Sequence, residues 1–202
     1  MFLGDYITEG TCWRSGVWDQ LESAGLAGSV DSVGSNRGLN PNCSRSSTFD
    51  LDHEAHTRIS ILYPMSTISL EIGRWVNDTR PDVINIMLGN EDLNHAFPGV
   101  SYVLTYYGSI IKSARKANPK IKIVVSEKTP MFDFEDAGNP RATRTDILLA
   151  ILVGKNYTQS DRNLHVWKFE RGGAWLGRGA DDDTVAHYYC RLLQRFHQRH
   201  VC

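Results

Sequence analysis

The feature that most constrains this chain is a regular alternation of short β-branched runs with longer amphipathic stretches. Trp13, Val17 and Leu21 recur at the spacing of one helical face, whereas Ile121–Val125 is β-branched except for Lys122. Short apolar runs separated by helical patterns are typical of parallel strands whose connecting helices cover both faces of a sheet. The alternation therefore predicts an α/β fold.

We predict a single domain over residues 1–202, built on a flavodoxin-like, doubly wound, five-stranded parallel sheet with helices on both faces. The predicted strands are Met1–Leu3, Val30–Gly34, Asp82–Leu88, Ile121–Val125 and Leu164–Phe169. The predicted helices are Cys12–Ala24, Thr67–Val76, Val100–Ala117, Arg141–Val153 and Thr184–His200. The polar, Gly/Pro/Ser-rich stretch Arg37–Thr57 is predicted to be a loop.

The charge balance argues against two classes of partner. A formal net charge of -1, with basic residues scattered along the chain, creates no field that would attract nucleic acid or an anionic membrane. Apolar runs also fall well short of the roughly 20 residues that span a bilayer. We therefore expect a small-molecule partner, and the sequence leaves the oligomeric state open.

The cellular compartment also stays open. The first residues lack a basic region and a long apolar core, which favours the cytoplasm, but a secreted protein whose signal was removed has the same pattern. Cys12, Cys43, Cys190 and Cys202 follow no metal-ligand spacing, so both disulfides and free thiols are compatible with them. Asn-x-Ser/Thr sequons begin at Asn42, Asn77 and Asn156, and chance alone would produce one or two of them.

Ligands of doubly wound sheets bind beyond the carboxyl ends of the strands. This rule directs attention to Asp5–Gly10, to Gly89–Asn94 and to the loop before the last predicted helix. The glycines after the first strand lack the spacing of a dinucleotide site, so we predict no cofactor. His53 and His56 match no established zinc pattern, so we predict no metal site.

Several blocks resemble the SGNH (GDSL) hydrolases, and in particular carbohydrate esterase family three, which contains acetyl-xylan esterases. Gly4–Gly10 is similar to the opening Gly-Asp-Ser-Ile-Thr-x-Gly block, and Leu88–Asn94 to the Gly-Thr-Asn-Asp block. Further similarity lies in Trp13-Arg14, Val30–Ser35, Asp52–His56 and Ala117–Pro119. The resemblance spans nearly the whole chain and implies the SGNH hydrolase fold.

Ester hydrolysis in that family rests on a Ser nucleophile, on a Gly N–H and an Asn side chain that bind the oxyanion, and on a His base. The resemblance places Tyr6, Arg58 and Glu91 at the Ser, Gly and Asn positions. A phenol oxygen projects further than a serine hydroxyl, a guanidinium fills the oxyanion space, and a carboxylate repels an oxyanion. The final Asp-x-x-His-Pro block is also altered, because Asp183 and His187 have one residue too many between them and no proline follows.

Polar and charged replacements favour a cleft that is kept for a non-hydrolytic acid/base reaction on a small organic molecule, such as an isomerisation, cyclisation or lyase step. The candidate catalytic residues are Tyr6, Glu91 and His187; the candidate substrate-binding residues are Asp5, Arg58, Asn90, Trp175 and Asp183. Two alternatives stay open. One is a pseudoenzyme with a binding role, and the other is a residual esterase that uses Thr8 or Ser60 as its nucleophile.

Overall fold

The computed structural model describes residues 1–57, 59, 61, 68–89, 92, 100–126 and 164–167. The predicted helices Arg141–Val153 and Thr184–His200 lie outside these residues. The strands are β1 (Phe2–Gly4), β2 (Asn36–Arg37), β3 (Asp52–Ala55), β4 (Val83–Met87), β5 (Lys122–Ser126) and β6 (Leu164–Trp167). The helices are α1 (Tyr6–Gly10), α2 (Trp13–Ser23), α3 (Ile68–Thr79) and α4 (Val100–Ala117), and a 3-10 turn covers Ala27–Ser29.

The strands form one sheet in the order β2-β3-β1-β4-β5-β6. All neighbours pair in parallel except β2, which pairs antiparallel with β3 at the edge. The five parallel strands thus follow the doubly wound order 2-1-3-4-5, as predicted. In the register of the sheet, Gly4 lies opposite Ala55 on one side and opposite Met87 on the other, so the carboxyl ends of β1, β3 and β4 meet at one edge.

The prediction for the second parallel strand was wrong. Val30–Gly34 has no strand pairing, and β3 lies instead inside the stretch Arg37–Thr57 that was predicted to be a loop. Hydrophobic patterning missed β3 because its sequence is Asp-His-Glu-Ala. Its buried polar side chains are stabilised by hydrogen bonds rather than by apolar contact, as the Ser35–Glu54 bonds illustrate.

Apolar side chains cover both faces of the sheet. Leu3, Ile84 and Ile86 pack on one face with residues of α3 and α4. Phe2 and Met87, their neighbours along the strands, pack on the opposite face with residues of α2. Successive strand residues point to opposite faces, so this division confirms the predicted helix–sheet–helix layering. Within the described part of the chain, no helix combines the length and apolarity that crossing a bilayer requires.

Three links fasten the segment after β2 to the junction between α1 and α2. A disulfide joins Cys12, at the start of α2, to Cys43. The Asn40 side-chain amide donates to the Gly10 carbonyl at 2.6 Å, and Arg14 Nη2 donates to the Gly38 carbonyl at 2.7 Å. The fold therefore holds this segment against the end of α1.

We expect the Cys12→Ser/Cys43→Ser double variant to lose about 3–4 kcal/mol of unfolding free energy, because the bond closes a loop with a sequence separation of 31. Urea unfolding of the variant and of the oxidised protein measures this loss. The reduced wild type is the matched control and should unfold like the variant. Equal midpoints for the oxidised protein and the variant would contradict the prediction.

Candidate active site

The carboxyl ends of β1, β3 and β4 meet at one edge of the sheet, where the sequence predicted the site. Tyr6 follows β1 by two residues, and the segments that carry Arg58 and Glu91 follow β3 and β4. Because these three strands are direct neighbours, the segments leave the sheet side by side. The remaining predicted site residues, Arg58, Asn90, Glu91, Trp175, Asp183 and His187, lie outside the described residues.

Asp5 and Tyr6 occupy very different environments at the start of α1. Asp5 is fully buried and caps the helix, since its Oδ1 accepts from the backbone N–H of Ile7 at 3.0 Å. Tyr6 is 38% exposed, as the first residue of the helix. The structure thus gives Asp5 a helix-capping role, and its predicted contact with substrate stays a prediction. Tyr6 is therefore not one of the buried core residues.

Thr8 lies on the buried side of the same helix, against β1. It is fully buried, and a Cβ built at Gly4 would come within 1.9 Å of its hydroxyl oxygen. The glycine at position 4 is therefore needed for α1 to approach the strand. A hydroxyl in this position is shielded from any substrate, which argues against Thr8 as a nucleophile.

A carboxylate connects α1 to the segment that carries Arg58. Glu9 Oε2 accepts from both the backbone N–H and the hydroxyl of Thr57, each at 2.5 Å. Glu9 is three residues after Tyr6, and Thr57 immediately precedes Arg58. We call these two bonds the Glu9 clamp.

A second carboxylate connects the same segment to the one that carries Glu91. Asp92 is buried, and its Oδ2 accepts from the backbone N–H of Ile61 at 2.9 Å. The two carboxylates thus connect three segments, namely the start of α1, the residues after β3 and the residues after β4. Sequence reasoning missed both, although each stands within three residues of a predicted site residue.

The end of β4 is held by a buried phenol. The Tyr107 hydroxyl donates to the Leu88 carbonyl at 2.7 Å and accepts from the Leu88 N–H at 3.3 Å. Burial raises the pKa of Tyr107 above its ordinary value, so this group remains a neutral donor. Gly89 follows with φ +112, a conformation that favours glycine, and turns the chain towards Asn90.

His56 belongs to a closed hydrogen-bond network at the end of β3. Its Nε2 lies 2.7 Å from Glu54 Oε1, and the Asn36 amide nitrogen, 3.1 Å away, donates to its Nδ1. The ring also stacks on Trp75, with the ring centroids 5.0 Å apart. Both ring nitrogens are occupied, so His56 fixes the end of β3 rather than offering a ready base.

Glu54, the carboxylate of this network, is fully buried. The backbone N–H and the hydroxyl of Ser35 donate to its two oxygens at 2.7 and 2.6 Å. Burial by itself raises the pKa of Glu54, but the bonds from His56 and Ser35 outweigh it and leave the pKa below its usual value. Glu54 is therefore held as a structural carboxylate.

Arg14 and His53 are both buried, and the charge of Arg14 acts on His53. Arg14 Nε donates to the Thr8 carbonyl at 2.9 Å, while His53 Nδ1 accepts from the Ala55 N–H at 3.0 Å. Burial, and then the charge of Arg14, lower the pKa of His53 to about 4, so its ring is neutral at pH 7. Within the described residues, no group of three or more His, Cys, Asp or Glu side chains is placed to hold a metal ion.

We expect Glu9→Ala to speed hydrogen exchange at the Thr57 amide by roughly 10- to 100-fold, since a bond to a charged acceptor contributes about 1.5–3 kcal/mol. Glu9→Gln is the matched control. Its side chain keeps an acceptor oxygen and loses the charge, so its exchange rate should fall between those of the wild type and of Glu9→Ala. Nuclear magnetic resonance measures the amide. Identical rates in both variants would show that charge, not the acceptor, is what matters.

Acid should destabilise the protein through His53. Its folded pKa lies below its unfolded value, so the stabilisation is complete above about pH 6.5 and is lost as the pH falls towards 4. We expect the wild type to lose on the order of 2–3 kcal/mol more than His53→Asn over this interval. The asparagine keeps an acceptor for the Ala55 N–H and does not titrate. Parallel curves of unfolding free energy against pH would contradict this assignment.

Comparisons with known proteins place this geometry in a family. Neither a family model nor a curated protein matches the chain. Solved structures do: a mutant acetyl esterase crystallised with an acetate ion is 31% identical, over 98% of this chain and 97% of that one, with a TM-score of 0.79. A carbohydrate esterase family 3 protein from Talaromyces cellulolyticus is 30% identical, over 99% and 98%, with a TM-score of 0.78.

A family 3 carbohydrate esterase from Clostridium thermocellum supports the fold alone. It is 21% identical, over 96% of this chain and 92% of that one, with a TM-score of 0.66. The identity and coverage of the first two structures, together with the doubly wound sheet, confirm the resemblance that the sequence indicated. The chain belongs to carbohydrate esterase family 3 and has the SGNH hydrolase fold.

Proposed function

We propose that this protein catalyses a non-hydrolytic acid/base reaction on a small carbohydrate-derived molecule, in the cleft where its relatives cleave esters. The observation that carries the proposal is the environment of Tyr6. Tyr6 is 38% exposed at the start of α1, directly after the central strand β1, at the position where the resemblance expects serine. A residue that merely filled a disused cavity would be buried, whereas an exposed phenol is presented to a ligand.

Tyr6, Arg58 and Glu91 have complementary roles in the proposed reaction. Glu91 removes a proton from a carbon next to a carbonyl group, and Tyr6 and Arg58 stabilise the negative charge that develops on the carbonyl oxygen. The ties through Glu9 and Asp92 support this grouping, because they join the three segments that carry these residues.

His187 returns the proton to a neighbouring atom in this proposal. Asp5, Asn90 and Asp183 shape the substrate-binding walls, and Trp175 covers the bound molecule. This arrangement requires neither a metal nor a cofactor, since enolisation next to a carbonyl is proton transfer alone.

The buried and bonded groups of the site disfavour ester hydrolysis. Thr8, one alternative nucleophile, is fully buried against Gly4. His56 has both ring nitrogens occupied, and His53 is buried and neutral. None of these three groups is placed to form a nucleophile–base pair.

The proposed substrate class is based on the similar solved structures. One is named as an acetyl esterase and the other as a carbohydrate esterase. We infer that this chain keeps the carbohydrate specificity and has exchanged the ester for a carbonyl. Reducing pentoses, hexoses and their uronic acids are the compounds to test first.

Solvent deuterium exchange tests the proton transfer directly. We expect the protein, incubated in D2O with these sugars, to incorporate deuterium next to the carbonyl carbon of at least one of them. Tyr6→Phe and Glu91→Gln should each slow incorporation by about 10²- to 10⁴-fold with unchanged melting temperature, because each removes one acid or base group. Nuclear magnetic resonance of the sugar protons gives the rates.

Acetate release from p-nitrophenyl acetate and from acetylated xylo-oligosaccharides tests the alternative, esterase activity. We expect background rates for the wild type and for Tyr6→Ser, because restoring a hydroxyl does not restore the oxyanion donors. Release above background by the folded wild type would refute the proposal in favour of esterase activity. Saturable sugar binding with neither exchange nor release would instead identify a binding protein.

A further inference from the structure

The asparagines that the structure describes divide into two groups by burial. Asn36, Asn40, Asn85 and Asn118 are at least partly buried, and the amide nitrogen of each donates a hydrogen bond. The acceptors are the carbonyls of Ala55, Gly10 and Pro81 and the hydroxyl of Ser126. These four amide nitrogens are committed to the fold.

Asn42 and Asn77 differ from these four, because both are exposed. Asn42 lies in a turn, and Asn77 lies on the outer surface of α3. Of the asparagines that the structure describes, these two alone begin Asn-x-Ser/Thr sequons, Asn42-Cys43-Ser44 and Asn77-Asp78-Thr79. Sequons that arose by chance would not be expected to select the exposed asparagines.

The disulfide supplies an independent observation about the compartment. Cys43, the middle residue of the first sequon, is bonded to Cys12. Disulfides form and persist in oxidising compartments and are rare where thiols are kept reduced. In the eukaryotic secretory pathway, such a compartment is also where sequon asparagines receive glycans.

We propose that Asn42 and Asn77 are N-glycosylation sites and that the chain matures in an oxidising secretory compartment. The donor is an oligosaccharide linked to a lipid diphosphate. The asparagine Nδ2 forms a bond to the anomeric carbon of the donor, the bond from that carbon to the diphosphate oxygen breaks, and the amide loses one proton. Lipid diphosphate is the leaving group, and no oxidant or reductant takes part.

The folded structure accommodates both glycans. Asn42 lies on a segment that the disulfide fastens to α2, so its glycan would project from a fixed point. On α3, Arg74 and Asp78 flank Asn77 with side chains that are each 60% exposed. A glycan at either site therefore displaces no core residue, and this inference does not depend on the proposed reaction.

Secretion of the full chain from a eukaryotic host tests the proposal. Proteolytic peptides that are deglycosylated by peptide-N-glycosidase in ¹⁸O water should carry ¹⁸O-labelled aspartate at positions 42 and 77. Ser44→Ala should abolish labelling at position 42 alone, and Thr79→Ala at position 77 alone, with loss of one gel-mobility step each. Ser47→Ala, at an exposed serine outside any sequon, should change neither.

The labelling of each asparagine is measured separately, on the peptide that contains it. An unlabelled peptide from disulfide-bonded, secreted protein overturns the proposal for that site. If the Ser44→Ala protein is retained in the cell, Asn42→Gln and the intracellular fraction provide the same comparison. A fully reduced Cys12 and Cys43 in the mature protein would overturn the inference about the compartment.

Discussion

The site depends on how closely α1 approaches the central strand at Gly4. This residue is paired with Ala55 and Met87 at once, and Thr8 packs directly above it. A Cβ at position 4 would lie 1.9 Å from the Thr8 hydroxyl and 3.0 Å from the Met87 carbonyl, so any side chain would push α1 away from the sheet. Tyr6 begins this helix, so its position relative to β3 and β4 follows from that close approach.

Carboxylates fix the positions of the neighbouring segments, as Gly4 fixes the position of α1. Segments that leave a sheet expose backbone N–H groups that no longer have a strand partner, and these groups must be satisfied. Glu9, Asp92 and Glu54 accept such bonds from Thr57, Ile61 and Ser35. A charged acceptor stabilises its donor more than a neutral one. Acidic side chains that need have no part in the chemistry therefore hold these segments in place.

Hydrophobic periodicity predicted the helices and strands that pack against the core, such as α2, α4 and β5, because burial of apolar side chains decides their structure. It failed at β3, where Glu54 is buried against Ser35, a polar partner from a distant segment. The Glu9 clamp and the pairing of Cys12 with Cys43 were missed for the same reason. Such contacts join residues far apart in sequence, and only the folded topology brings them together.

Several ionisable groups near the proposed site are engaged in hydrogen bonds that stabilise the fold. The hydrogen bond between Glu54 and His56 fixes both side chains, and the low pKa of His53 keeps its ring uncharged in the interior. Protonating His53 or Glu54 would disrupt hydrogen bonds that position the segment before Arg58, so neither can exchange protons freely during turnover. The proposed reaction therefore needs proton donors and acceptors other than these two side chains. This is the physical reason for assigning the chemistry to Tyr6 and Glu91 rather than to the two histidines of β3.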